Sequence, residues 1–199
     1  MQYPEPIQNL IECFKKYPSI GAKSAERYAL ATLSLDKEIQ DLLIKSIGDC
    51  STKITYCEKC NNFTEEKLCK ICKDKSRDSN LLCIVEDPRN IIQIESSNIY
   101  NGYYYVLKGL ISPLDGIEPS DLKLEQLVKI IKENKTKEVI MAVKPSIEGE
   151  TTSLYISKLL EKENVTVSKL AQGVPIGAEI DYVDSLTLEL ALENRQKLN

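Results

Sequence analysis

The chain has 199 residues, 42% of them hydrophobic and 28% charged, a composition that is typical of globular proteins and excludes a fibrous or disordered chain. No apolar run approaches the about 20 residues that a membrane-spanning helix needs, so we expect no membrane partner. The formal net charge of −4 divides into +2 over residues 1–77 and −6 over residues 78–199. Phosphate contact is therefore expected from the N-terminal third, and basic partners or divalent cations from the rest.

The first fifty residues predict three helices. Apolar residues recur at helical spacing from Ile7 to Phe14, again from about Ala22 to Leu33, and again over residues 36–50. Residues 17–21, which include a proline and a glycine, interrupt the pattern between the first two helices.

The turn between these helices, Pro-Ser-Ile-Gly-Ala-Lys over residues 18–23, suggests a helix-hairpin-helix. Such a turn, here at Gly21, exposes backbone N–H groups that bind a phosphate without reading bases. Lys23 and Arg27 add positive charge one helical turn apart. A glycine usually stands where this chain has Ser19, and the alternative is a helical hairpin that builds only a core or a dimer contact.

A four-cysteine motif follows, with the spacing Cys-x2-Cys-x8-Cys-x2-Cys. Its members are Cys57, Cys60, Cys69 and Cys72. Two such CxxC turns can aim four thiolates at one point, which favours a structural, tetrahedral Zn²⁺ site with one ion per chain. Four thiolates leave no open coordination position, and the chain has no histidine, so a catalytic zinc is not expected.

Two disulfides or a redox CxxC are the alternatives at this motif. The chain has seven cysteines, an odd number, and shows no apolar signal segment, so we expect a reducing cytoplasm and free thiols. The other three cysteines, Cys13, Cys50 and Cys83, stand among apolar residues and are predicted to be buried.

Residues 73–80 are polar and are interpreted as a linker, after which the pattern changes to alternating strands and helices. Strands are predicted at 81–86, 103–107, 138–143 and 165–170, and helices from 87, at 122–131 and at 151–160. This alternation favours a parallel α/β sheet. The run Tyr103-Tyr104-Tyr105 lies in a predicted strand and is expected to be mostly core.

Acidic residues follow two of these strands. Glu86 closes the first strand, and Glu148 and Glu150 come shortly after the third. Because the carboxyl ends of parallel strands share one crevice, we expect these carboxylates to bind either Mg²⁺ or a basic partner, or to form only a solvated rim. The pattern resembles a Toprim domain, in which a strand-end Glu is paired with Asp-x-Asp. Glu-Gly-Glu stands in that place here, which puts catalysis in doubt.

Taken in order, these motifs resemble the RecR family of recombination mediators over nearly the whole chain. Further matching segments are Thr64, Ile71 and Arg77 around the cysteines, residues 112–117, the Pro145-x2-Glu-Gly-Glu segment and residues 173–177. Gln172, Lys144 and Ser19 depart from the family pattern.

The resemblance implies an α/β multi-domain fold. The expected domains are a helix-hairpin-helix domain at 1–53, a four-cysteine zinc finger at 54–77, a Toprim domain at 78–174 and a C-terminal oligomerisation segment at 175–199. It also implies a non-enzymatic, DNA-binding role in DNA repair and recombination in the bacterial cytoplasm, at the nucleoid. RecO-like and RecF-like partners would help to load RecA on gapped DNA, at single-strand to duplex junctions and without sequence preference.

The resemblance further implies a homo-oligomer, from dimer to tetramer, that closes as a ring around duplex DNA. The C-terminal segment would pack on a neighbouring subunit, with residues 180–184 placing acids beside apolar residues as a Walker B element does. No GxxxxGK[ST] loop occurs, so ATP hydrolysis is not expected. A Mg²⁺-dependent Toprim enzyme and a zinc-stabilised RNA-binding protein are the rival classes.

Overall fold

The structure, a computed structural model, describes residues 3–196. The chain divides after Ile54 into two compact units. None of the described helices combines the length and the apolar character that crossing a bilayer requires.

The first unit consists of three helices, as predicted. They are α1 (Glu5–Phe14), α2 (Ala22–Leu33) and α3 (Lys37–Lys53). Ala25 and Ala29 of α2 are fully buried, and the rings of Phe14 and Tyr28 lie 5.9 Å apart between centroids. Small residues on α2 therefore let α1 pack closely against it.

The burial predicted for two cysteines of this unit is wrong. Cys13 and Cys50 are exposed, whereas Cys83 in the second unit is buried as predicted. No residue of α1 or α3 is fully buried within the single chain, so apolar neighbours in the sequence do not place these thiols in an interior.

The cysteine motif forms a small knuckle at the start of the second unit. A two-stranded antiparallel hairpin, β1 (Thr55–Tyr56) with β2 (Phe63–Thr64), is followed by the one-turn helix α4 (Lys70–Lys73). The linker interpretation of residues 73–80 is partly wrong, because β3 (Asp78–Val85) already begins at Asp78. The polar side chains of these residues indicated a linker, but their backbone pairs with neighbouring segments. Asp78 N donates to Asn101 O at 2.9 Å, and Lys137 N donates to Asn80 O at 2.8 Å.

A four-stranded parallel sheet forms the centre of the second unit, as the alternating pattern predicted. It consists of β3, β4 (Gly102–Val106), β5 (Glu138–Ala142) and β6 (Thr166–Lys169), in the spatial order β4-β3-β5-β6. The helices are α5 (Pro88–Ser96), α6 (Leu124–Asn134), α7 (Ile147–Leu160) and α8 (Ser185–Glu193). The chain leaves β3 first towards β4 and later towards β5 on the other side, which makes the β3–β5 boundary a topological switch point.

Strands β3 and β4 are buried on both faces, which explains their continuous apolar runs. Leu82 and Ile84 face a core that includes Tyr105, Leu127 and Ile156. Cys83 and Val85 point to the opposite core, with Ile91, Tyr104 and Val106. Tyr104 and Tyr105 are therefore core residues, as predicted, while Tyr103 is half-buried.

Helix α7 begins four residues earlier than its apolar pattern predicted, at Ile147 and not at residue 151. The Ser146 hydroxyl caps it by accepting from Gly149 N at 3.2 Å. Glu148 and Glu150 thus lie in the first turn of a helix and not in a loop. The helix dipole favours carboxylates at this end of the helix.

The C-terminal segment contains a short 3-10 turn, Ile180–Tyr182, and α8, whose first turn is capped by Asp184 through Thr187 N at 3.0 Å. The predicted domains at 1–53 and 175–199 include residues 1–2 and 197–199, which lie outside the described residues. The four domain boundaries stay predictions.

Candidate functional site

The four cysteines of the CxxC motif are brought together. Their Sγ atoms all lie within 4.8 Å of one another, with Cys60 and Cys69 separated by 3.6 Å. Zinc–sulfur bonds of about 2.3 Å in a tetrahedron give sulfur–sulfur edges of about 3.8 Å. Both the donor chemistry and the spacing of these thiols therefore fit a Zn²⁺ ion.

Backbone N–H groups orient the sulfurs of this cluster. Cys69 N donates to Cys57 Sγ at 3.3 Å, and Cys72 N donates to Cys69 Sγ at 3.5 Å where α4 begins. Hydrogen bonds among the four side chains lower the pKa of the Cys57 thiol below its ordinary value and raise those of Cys60 and Cys72. Cys57 is therefore the thiol most readily ionised, and a metal ion that binds all four sulfurs displaces the protons that the others keep.

The knuckle covers the free edge of the parallel sheet. Strand β4 is an edge strand, and its last residue donates from Val106 N to Cys60 O at 2.9 Å. The Asn61 side-chain amide returns a hydrogen bond to Val106 O at 3.0 Å. Exposed edges invite pairing with other chains, so the knuckle protects this one at the place where it docks.

Side chains on α6 and on the loop after β4 hold the knuckle from both sides. Lys59 Nζ donates to Asn134 Oδ1 at 2.9 Å, and Gln126 Nε2 donates to Lys59 O at 3.4 Å. On the hairpin side, the ammonium of Lys108 lies 3.3 Å from the centroid of the Tyr56 ring. Burial lowers the pKa of Lys108.

The acidic residues occupy the carboxyl end of the sheet. Glu86 follows β3, while Glu148 and Glu150 lie at the start of α7, after β5. We call the region around these three residues the acidic crevice. Among residues 3–196, the only group of three or more potential metal ligands that lie close enough for one ion is the cysteine cluster.

Each carboxylate of the acidic crevice has a partner within the chain. The Ser146 hydroxyl donates to Glu148 at 2.6 Å, which lowers the pKa of that carboxyl. Lys144 Nζ lies 3.7 Å from Glu86 Oε1, and Lys169 Nζ lies 3.0 and 3.1 Å from the two oxygens of Glu150.

A glycine separates the two glutamates because there is no room for a side chain. A Cβ atom at Gly149 would lie 2.0 Å from the Lys144 carbonyl oxygen. The close approach of α7 to the end of β5 therefore depends on this glycine.

In the first unit, the helix-hairpin turn has the geometry that the sequence predicted. Gly21 is the residue before α2, where no side chain caps the helix and no acidic residue lies in the first turn. Lys23 and Arg27 are exposed on α2. Ser19 has a φ of 63°, the left-handed conformation for which glycine is suited, which explains why such turns usually carry glycine there.

Comparison with known proteins agrees with this order of motifs. Models of the RecR helix-hairpin-helix, the RecR four-cysteine zinc finger, the Toprim domain and the RecR C-terminal region match residues 7–50, 54–74, 80–171 and 173–196, respectively. The chain is 41% identical over 198 residues to the "Recombination protein RecR" of Staphylococcus saprophyticus, with 100% of each chain covered. The chain belongs to the RecR family.

RecR membership supports a role as a mediator of recombinational repair, and the helix-hairpin-helix supports DNA binding. The matched four-cysteine finger, together with the clustered thiols, supports a structural zinc. The predicted fold class is confirmed, from the N-terminal helices to the Toprim sheet.

Sequence reasoning missed two residues that shape this RecR-family site. Asn61 binds the sheet edge, and Lys169 binds Glu150. Lys169 stands in the predicted strand 165–170, so a charged residue near the carboxyl end of a strand in a parallel sheet was the available signal. Asn61 has a φ of 63°, a conformation that asparagine tolerates better than most residues, but nothing in the sequence indicated its partner.

Proposed function

We propose that this chain is a sequence-independent DNA-binding recombination mediator. It acts with RecO-like and RecF-like partners to load RecA on gapped single-stranded DNA, as a ring-shaped clamp and without catalysing a reaction of its own. The observation that carries this proposal is the full-length match to a recombination protein, combined with an uncapped helix-hairpin turn that exposed basic residues follow.

DNA contact is assigned to Gly21, Lys23 and Arg27. The first N–H groups of α2 have no side-chain cap and point out of the helix start, where the dipole favours a phosphate. Lys23 and Arg27 lie one turn apart, and neither shows a salt bridge in the described residues. Contacts of this kind bind phosphates and not bases, so binding is sensitive to salt and indifferent to sequence.

Assembly into an oligomer, from dimer to tetramer, is supported by apolar surface in both units. Leu42, Ile44 and Ile47 of α3 are 62–67% exposed in the single chain, and Ile176 and Tyr182 of the C-terminal segment are 86–107% exposed. Large apolar side chains this exposed on a single chain often mark an interface. The two regions give each chain two different contacts, which a closed ring requires.

The partner surface is assigned to the acidic crevice. Glu86, Glu148 and Glu150 are half-buried, so a basic partner side chain can reach them without complete desolvation. The alternative occupant of this crevice is Mg²⁺. Residues 78–199 carry a net charge of −6, which favours a basic protein partner over a second DNA surface here.

Cys57, Cys60, Cys69 and Cys72 are assigned as the ligands of one zinc ion per chain. The ion stabilises the knuckle and leaves no open position for chemistry. A protein with these parts would work in the bacterial cytoplasm, at the nucleoid.

The clamp is tested by incubating the zinc-loaded protein with circular gapped DNA and Mg²⁺ at low salt and then linearising half of the sample. We expect intact DNA, with protein retained on circles and released by linearisation. Equal retention on both forms would contradict the ring. Nicked, cleaved or relaxed DNA would contradict the non-catalytic role and indicate a Toprim enzyme.

A further inference from the structure

We infer that Lys144 and Lys169 are built-in counter-cations of the acidic crevice, which therefore does not take up Mg²⁺ in the free protein. The crevice therefore accepts a partner's lysine or arginine side chain and not a hydrated divalent ion. The inference concerns the free, zinc-loaded protein, so it stands or falls independently of DNA binding and of ring formation.

The strand topology brings one lysine to each of two carboxylates of the acidic crevice. Lys144 comes two residues after β5 and reaches Glu86, which directly follows β3, across the topological switch point. Lys169 is the last residue of β6 and reaches Glu150 beyond the end of β5. The carboxyl ends of three neighbouring strands are thus linked by two ammonium–carboxylate pairs.

The geometry of these pairs competes directly with metal binding. The Lys169 ammonium contacts both oxygens of Glu150, at 3.0 and 3.1 Å, which is the two-oxygen edge that a cation would use. Mg²⁺ requires oxygens converging to about 2.0–2.1 Å in an octahedron and gives up its water reluctantly. Glu148 is also engaged within the chain, because one oxygen of its carboxylate accepts from the Ser146 hydroxyl at the cap of α7.

The pairs are also exchangeable, which suits a recognition surface. The four side chains are 30–55% exposed, so solvent screens the attraction and each pair contributes little to stability. A partner's lysine or arginine can replace Lys144 or Lys169 with one charge exchanged for one charge, whereas a hydrated divalent ion meets two positive charges already in place.

The test is a titration of zinc-loaded protein with Mn²⁺, a spin-active probe that prefers oxygen ligands, with free Mn²⁺ measured by electron paramagnetic resonance. We expect no saturable binding to the wild-type chain at millimolar Mn²⁺. The double variant Lys144→Asn with Lys169→Gln removes both ammonium groups, and we expect it to bind Mn²⁺ saturably, with a Kd at least about tenfold below the highest concentration at which the wild type shows no saturation.

Two further variants make the titration decisive. Lys129→Gln with Lys158→Gln makes the same change in net charge on exposed helix positions and should bind no more Mn²⁺ than the wild type. Glu86→Gln with Glu150→Gln, added to the lysine variant, should abolish the gained binding. Zinc content and thermal unfolding establish that each variant is folded.

Saturable Mn²⁺ binding by the wild type that Glu86→Gln with Glu150→Gln removes would overturn the inference. A folded lysine variant that gains nothing would overturn it as well, as would an equal gain in the Lys129 and Lys158 control. If the lysine variant does not fold, the wild-type titration with and without the glutamate substitutions still decides the question.

Discussion

Arg77 and Glu95 connect the end of the knuckle to the far end of α5, with Arg77 Nη1 3.0 Å from Glu95 Oε1. The same guanidinium nitrogen donates to Gly102 O at 2.9 Å, at the start of the edge strand β4. The Tyr104 hydroxyl adds a second donor to Glu95 at 2.6 Å. Arg77 therefore fastens knuckle, helix and sheet in one hydrogen-bonded cluster.

Replacing Glu95 with Gln should destabilise the second unit most at neutral pH. Burial raises the pKa of Glu95, but the bonds from Arg77 and Tyr104 outweigh it and leave the pKa below its ordinary value. The stabilisation is therefore present above the unfolded-state pKa and is lost as the pH falls through the lower folded-state pKa. We expect a loss of about 1–2 kcal/mol at pH 7, decreasing towards pH 4, in urea unfolding series.

Glu133→Gln is the matched control for this series. Its carboxylate is exposed and lies 3.9 Å from Lys129, so we expect a change within about 0.5 kcal/mol at every pH. Acid also releases zinc, but it does so in all three proteins. A Glu95→Gln effect that stays constant from pH 7 to pH 4 would contradict the assigned role of the carboxylate.

Gly149→Ala should be strongly destabilising although alanine is the better helix former. The new Cβ would lie 2.0 Å from the backbone oxygen of Lys144, and a backbone atom cannot move aside as a flexible side chain can. We expect a loss of about 2 kcal/mol or more in the free energy of unfolding. Gly109→Ala, whose Cβ would meet Leu122 at an ordinary 3.7 Å, should cost far less.

Ser19→Gly should stabilise the first unit. A left-handed conformation costs a residue with a side chain about 1–2 kcal/mol, which glycine would avoid. Glycine loses more conformational entropy on folding, and this offsets about 0.5–1 kcal/mol of the gain. We expect a net gain of about 0.5 kcal/mol, read as slower hydrogen exchange in α1 and α2. Ser34→Gly, at a residue with a φ of −86°, should make that exchange faster. If both substitutions changed the exchange rate in the same direction, strain at Ser19 would be refuted.

Lys23→Glu combined with Arg27→Glu should weaken retention on DNA by at least about tenfold and reduce its salt dependence, while zinc content and oligomeric state remain unchanged. Lys37→Glu with Lys45→Glu alters the charge of the same helical unit equally and should retain DNA better. Equal losses in the two double variants would mean that net charge, and not the hairpin turn, governs binding.

Removing zinc should uncover the sheet edge at Val106. Cys57→Ala should lose the metal and the knuckle together, so the hydrogen bond from Val106 N to Cys60 O is lost. We expect faster exchange of the Val106 amide and concentration-dependent light scattering. Asn61→Ala, which removes one contact to the edge but no sulfur, should keep its zinc and scatter little. A Cys57→Ala protein with normal zinc content would refute the four-thiolate site.

The local features of this protein were predictable from its sequence, because neighbouring residues determine them. The CxxC spacing determines which thiols can meet, and the turn at 18–23 interrupts the helical pattern within a few residues. The spacing of apolar residues predicted the three N-terminal helices, and the alternation of strands with helices predicted the parallel sheet. Such features depend on backbone geometry over at most about twenty residues.

Features that depend on distant partners were decided only by the tertiary structure. Cys13 and Cys50 are exposed because no neighbouring element covers them in the single chain, and residues 78–80 join a strand because the backbone of residues 101 and 137 pairs with it. Lys169 meets Glu150, 19 positions away, only once β5 and β6 lie side by side. Composition indicates what a residue can bind, whereas the packing of strands and helices decides which partner it reaches.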